Sequence, residues 1–304
     1  MTALLNWVSG NPVRAFVATG IASLIALFAL PMTAWIPAGL VVFAMLIRSD
    51  GLAAAAGTGA AVAFAAVYGP LYGAGAAAAI ALAILLPAAL TGHALHRTRS
   101  LSFVFQSATV GACLLVLAIH ALVGDPLRAL APLLSELEPL LRPIADALTR
   151  SGIEASPREI GEAAARVAWG FLAWTVLLHT MLALFAGLWA FGRVREPGLF
   201  AREFRQLRLG RFVAWLLVAA FLTNLVALRL FAPGWQAADD IVFVLAAAFL
   251  LQSLAVVHGL RELQIIGIVP VVLAYVAVVF LPHLLVAIGL ADTWIRFRER
   301  FVKR

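Results

Sequence analysis

The charged residues of this chain gather into a few short stretches, and long apolar runs fill the space between them. Hydrophobic residues make up 64% of the 304 and charged residues only 12%, against roughly 45–50% apolar in an ordinary soluble domain. A water-soluble fold has too little polar surface to cover so much apolar material. The sequence therefore predicts an all-α fold, a polytopic bundle of transmembrane helices, with lipid as the solvent for most side chains.

The net charge is +7, and Lys303 is the sole lysine among the positive residues. In a soluble protein such a balance would suggest nucleic-acid binding. Here the cations flank apolar spans, so the positive-inside rule and contact with anionic membrane lipids account for them, and no nucleic-acid partner is expected. Cys113, the only cysteine, cannot form an internal disulfide and reads as a buried thiol. Residues 1–12 show neither a cationic start nor a small-residue cleavage site, so the first span is expected to be retained.

A crossing takes about 20 largely apolar residues. Residues 13–123 divide into N-terminal spans at 15–30, 33–47, 52–68, 71–90 and 103–122, with a polar turn at 48–51 and a break at Gly69-Pro70. Residues 167–304 give C-terminal spans at 167–191, 212–231 and 241–257. Beyond them, either 263–281 and 282–295 form a short hairpin about Pro282, or the charge rule fails at this end. The whole is expected to be a single integral membrane domain of eight to ten spans.

Residues 124–166 depart from this pattern. Leu127, Leu130, Leu134, Leu137, Leu141, Ile144 and Leu148 recur at spacings of three and four, which defines one apolar helical face. Pro132, Pro139 and Pro143 are expected to break that helix into short kinked pieces. The segment reads as an extracytoplasmic amphipathic insert on the membrane surface. Ser156, Pro157 and Glu159 then form a capping box that is expected to start the sixth span. After that span comes a basic helix over 199–211, on which Phe200, Phe204 and Leu207 share one side and Arg202, Arg205 and Arg208 another. The charge rule places it in the cytoplasm, as a contact for acidic lipid or for a partner protein.

No soluble-enzyme signature is present. Gly57-Thr-Gly59 and Gly73-Ala-Gly75 carry no phosphate-binding lysine, and as small residues they suit close helix packing. His93 and His96 share a helix face with no further ligand nearby, so no metal is expected. His179, Asn224, Gln252, Gln106 and His120 lie within spans and must find polar partners there. They form a candidate solute pocket, or a set of interhelical hydrogen bonds. Carboxylates are nearly absent from span centres, with Asp292 the nearest exception. That disfavours an ion-coupled pump, and no carboxylate is placed to orient an intramembrane histidine.

The segments FAREFRQLRLGR (200–211), LQSLAVVHGL (251–260) and GLADTWIRFRER (289–300) resemble the YybS-like family of bacterial membrane proteins, over roughly the C-terminal third of the chain. The first half matches in hydropathy and in its turns at Pro31, Pro37 and 48–51. That family has no established activity, and its fold is thought distantly similar to the S components of energy-coupling-factor transporters. The resemblance implies an S-component-like core. It also implies that Ala18, Ala22 and Ala26, at small-xxx-small spacing, contact a transmembrane coupling subunit. A separate ATPase would supply energy, since this chain has no nucleotide-binding sequence. The expectation is a non-enzymatic, cofactor-free membrane protein that binds or helps to transport a small solute. The alternative is a membrane scaffold that recruits partners through Arg202, Arg205 and Arg208.

Overall fold

The computed structural model describes residues 2–29, 33–47, 51–230 and 236–302, and every regular element among them is a helix. Pro31, residues 48–50 of the expected turn, Phe231 and the terminal pair Lys303 and Arg304 lie outside the described residues. The helices are α1 (Thr2–Ser9), α2 (Pro12–Ala29), α3 (Trp35–Ile47), α4 (Gly51–Tyr72) and α5 (Ala74–Thr98). They continue with α6 (Leu101–Leu122), α7 (Pro126–Arg150), α8 (Pro157–Arg166), α9 (Ala168–Arg195) and α10 (Leu199–Arg205). The last are α11 (Arg211–Leu230), α12 (Gln236–Glu262), α13 (Ile268–Phe280), α14 (Pro282–Ile295) and α15 (Phe297–Val302).

Five of these, α4, α5, α6, α9 and α12, are long and apolar enough to cross a membrane. This is the make-up of a multi-pass membrane protein. A sixth crossing is available if α13 and α14 count as one span; the chain turns through 118° between them, the geometry of a broken span or a re-entrant loop. Three further apolar helices, over Pro12–Ala26, Trp35–Ile47 and Arg211–Val226, are shorter across their described residues. The eight to ten spans expected from hydropathy depend on them.

The chain divides into two compact units. In the first (Met1–Thr109, Val176–Arg211 and Phe249–Arg304), small residues bring helices into backbone contact. A side chain on Gly59 of α4 would run into the Phe16 carbonyl of α2. Gly187 of α9 lies equally close to Val42 of α3, and Gly92 of α5 faces Met45 and Val42. Gly57, Gly73 and Gly75 meet nothing within 4 Å, so of the two glycine pairs in the sequence only Gly59 serves close packing. The helix expected to stop at Gly69-Pro70 instead runs through Pro70 and ends at Gly73, whose φ of 85° suits only glycine. Pro70 lies in the last turn of α4. Along α2, Ala26 is buried while Ala18 and Ala22 are half-buried.

The second unit comprises Val110–Thr175 and Phe212–Ala248. Here α7 is continuous, and Pro132, Pro139 and Pro143 do not break it. All three prolines are exposed, so the carbonyls that lose a donor can be solvated. Leu127, Leu130, Leu134, Leu137, Leu141 and Leu148 form the covered side as expected, but Ala145 takes the place given to Ile144, which is exposed. Helix α8 packs along that side, where Gly161 lies against Leu134 and Leu141. The capping box is complete: the Glu159 N–H donates to Ser156 Oγ at 3.2 Å, and the Ser156 N–H donates to Glu159 Oε2 at 2.8 Å. It starts α8 rather than the span, which begins only after a break at Val167.

Candidate functional site

The basic helix expected over 199–211 ends at Arg205, and residues 207–210 form an irregular strand of chain. Leu207 and Leu209 are nonetheless buried, so the backbone polar groups around them need partners. Side chains supply these. The Arg208 N–H donates to Ser102 Oγ at 3.1 Å, and the Leu209 N–H donates to Gln252 Oε1 at 2.6 Å. The Leu207 carbonyl accepts from both terminal nitrogens of Arg298, at 3.2 and 3.1 Å, and the Arg205 carbonyl accepts from Nη1 at 2.5 Å. These interactions, with Gly210 packed against Gln106, explain why the helix stops.

Asp292 anchors the same network. Its Oδ2 accepts from Arg298 Nη2 at 2.6 Å, and its Oδ1 accepts from the Phe297 N–H at 3.0 Å, which caps α15 after the left-handed turn at Arg296. Gln252 Nε2 donates to the Gly289 carbonyl at 2.8 Å and reaches Asp292 at 3.4 Å. Gln252 and Asp292 are fully buried and Arg298 is 7% exposed. A side chain at Gly259 would stand 2.8 Å from Arg298 Cδ, so glycine is needed where the arginine stem passes. The segments 200–211, 251–260 and 289–300, far apart in the chain, thus meet in one buried polar cluster.

Above this cluster a cavity of about 940 Å³ opens, lined by Arg202, Arg205, Arg208, Arg298, Glu262 and Glu299 among others. Arg202 pairs with Glu196 at 2.6 Å, Arg205 with Glu262, and Arg208 with Glu299. Hydrogen bonding from Arg208 holds the Glu299 carboxyl below its ordinary pKa, and the charges of Arg208 and Arg296 act the same way. Burial pushes the Arg298 guanidinium below its ordinary value and the like charge of Arg208 adds to this, while Asp292 opposes both. The buried Arg298 Nε has no hydrogen-bond partner.

The second unit holds a different polar cluster. His120 Nε2 lies 2.7 Å from Asp240 Oδ2, and Asp240 is 3% exposed. A carboxylate does therefore meet a span histidine, contrary to the sequence expectation. Asp240 belongs to the first turns of α12, which the hydropathy span beginning at 241 left out. The Asp240 carboxylate also accepts from the Gly170 N–H, and Gln236 Nε2 donates to the Arg166 carbonyl at 2.6 Å. A continuous helix would have paired Gly170 with Arg166, so these two side chains explain the break at Val167. Asn224 bonds to Asp239 through Nδ2, while its buried Oδ1 has no partner.

The five residues of the expected pocket are divided between the two units. His120 and Asn224 belong to the second unit, and Gln252, Gln106 and His179 to the first. Gln252 spends its amide on the fold, and His179 is half-buried on α9. None of the five lines the arginine cavity. Of the basic residues, Arg202, Arg205 and Arg208 all line it, although Arg208 is no longer on the helix. Among the described residues no group of three or more His, Cys, Asp or Glu is placed to hold a metal. Comparison with protein-family models, with curated proteins and with solved structures finds no match to this chain.

Proposed function

We propose that this multi-pass membrane protein binds a small solute at the arginine-lined cavity and has no catalytic role of its own. The observation that carries this reading is the cavity of about 940 Å³, backed by a buried hydrogen-bond network that fixes Arg298 beneath it. Its size suits a small-molecule ligand. Preorganised walls reduce the ordering cost of binding. On this reading the family is YybS-like and the role is that of an S component in the bacterial cytoplasmic membrane. The 200–211 segment faces the cytoplasm and α7 with α8 faces outward. A transmembrane coupling subunit and a separate ATPase are the expected partners, with lipid around the spans.

The test is purification in mild detergent followed by mass spectrometry of everything small that accompanies the protein. A stoichiometric co-purifying solute supports the reading. A protein that carries none, and that binds none from an extract of its host, contradicts it.

A second reading has one observation in its favour: Arg202, Arg205 and Arg208 present their cationic groups at one surface. A scaffold that recruits partners through them would lose its complexes on joint substitution by glutamine, whether or not any solute is bound.

A further inference from the structure

The charges that line the cavity do not balance: Arg202, Arg205, Arg208 and Arg298 face only Glu262 and Glu299. Glu299 serves two arginines, Arg208 and Arg296, so the ion pairs of the cluster join five arginines to only four carboxylates. The excess is concentrated where Arg208 approaches the buried Arg298, whose Nε–H lacks an acceptor. Two guanidinium groups near one another in a partly desolvated cleft favour an anion between them.

The chemistry narrows the anion further. Glu262 and Glu299 already occupy two arginines on exposed side chains. A monocarboxylate would only replace one such carboxylate by another, with no gain in charge. A phosphate group carries up to two charges and three acceptor oxygens, so it can bridge two guanidiniums that a single carboxylate leaves uncompensated. Exposed ion pairs contribute little stability, so Glu262 and Glu299 can be displaced at small cost. The volume leaves room for more than the phosphate itself.

We propose that the cleft formed by Arg205, Arg208 and Arg298 is a binding site for a phosphate-bearing ligand, either a soluble phosphate ester or the headgroup of an acidic lipid. This rests on the solute-binding reading and names the ligand class. Arg208 and Arg205 contact the phosphate from the rim, and Arg298, fixed by Asp292 and by the Leu207 carbonyl, supplies the charge beneath it. Glu299 competes with the ligand for Arg208.

The experiment uses the full chain in detergent, with two probes. Inorganic pyrophosphate is titrated by calorimetry for the soluble arm. For the lipid arm, native mass spectrometry follows dioleoyl phosphatidic acid against dioleoyl phosphatidylcholine. Saturable binding is expected in one arm, which identifies the source. Arg205→Gln with Arg208→Gln should weaken it at least about tenfold, Arg158→Gln on α8 should leave it unchanged, and Glu299→Gln should tighten it severalfold. The gain in Glu299→Gln separates a binding role from a structural one and holds even if the double variant does not fold. Failure of both probes, equal binding by the folded double variant, or no gain in Glu299→Gln overturns the proposal. If a solute still co-purifies when both probes fail, the solute-binding reading stands and only the phosphate assignment falls; if nothing co-purifies, both fall.

Discussion

Arg298 and Asp292 meet at 2.6 Å on side chains that are 8% and 0% exposed; Arg298 also holds the Arg205 and Leu207 carbonyls where α10 ends, and Asp292 caps the start of α15. A buried pair of this kind is costly to break from one side, because the surviving charge is left uncompensated, at about 3–5 kcal/mol. Asp292→Asn should lower stability by about that much, read from thermal or denaturant unfolding in detergent. Replacing both residues by Leu and Met should recover only part of the loss. The Leu207 and Arg205 carbonyls would then lack their donor, at about 1–3 kcal/mol for each buried group left unsatisfied. Full recovery would show that the carbonyl contacts contribute nothing.

Two glycines in one helix should behave oppositely. Gly59→Ala places a methyl against the Phe16 backbone, with the carbonyl carbon at 3.0 Å, and backbone cannot swing aside. The expected cost is about 1–3 kcal/mol as α2 and α4 are forced apart. Gly57→Ala, two residues earlier, meets open space and should change stability by less than about 0.5 kcal/mol. Unfolding midpoints of the two variants provide the comparison.

Ser156→Ala should cost about 1 kcal/mol of local stability in α8, visible as faster hydrogen exchange at the Glu159 and Ile160 amides. The same cap has a pH dependence. Its bonds with Ser156 lower the Glu159 pKa in the folded state. The contribution is therefore complete above the unfolded carboxylate pKa and fades as pH falls through the folded one. Protection of the α8 amides, corrected for intrinsic exchange at each pH, should drop on acidification below the ordinary carboxylate range. Glu159→Gln should flatten that response.

Gly170→Ala would bring a methyl within 2.5 Å of Asp240 Oδ1 and 3.0 Å of its Cα. The second unit should lose about 1–3 kcal/mol, with the earliest exchange around the α8 to α9 break. An unchanged exchange pattern there would show that Asp240 does not hold the start of α9.

How far these features could be read in advance depends on whether their causes are local. The capping box is written in four adjacent residues, and the covered face of α7 in a spacing of three and four; the box forms as expected, though it starts α8, and the face forms with Ala145 in place of Ile144. The α7 prolines misled because their effect depends on exposure, which the pattern of neighbours does not state. The start of α9 was misplaced for a similar reason. Its break is fixed by Gln236 and Asp240, some 70 residues away, and nothing near Val167 announces them. Arg298 stands within an arginine-rich tail, yet it is buried because Gly259 leaves a channel for its stem. A glycine directly after His258 near the end of an apolar span was the one local hint. The pairing of His120 with Asp240 left no trace in spacing, since 120 residues separate them.

Membrane crossing by α9 is the claim on which the rest depends, and sided labelling tests it most directly. With Cys113→Ser as background, single cysteines at Arg158 and Arg202 flank this 28-residue helix. A membrane-impermeant maleimide should label Arg158→Cys only from the outside of intact cells, and Arg202→Cys only in inside-out vesicles. Labelling of both positions from the same side would contradict the account.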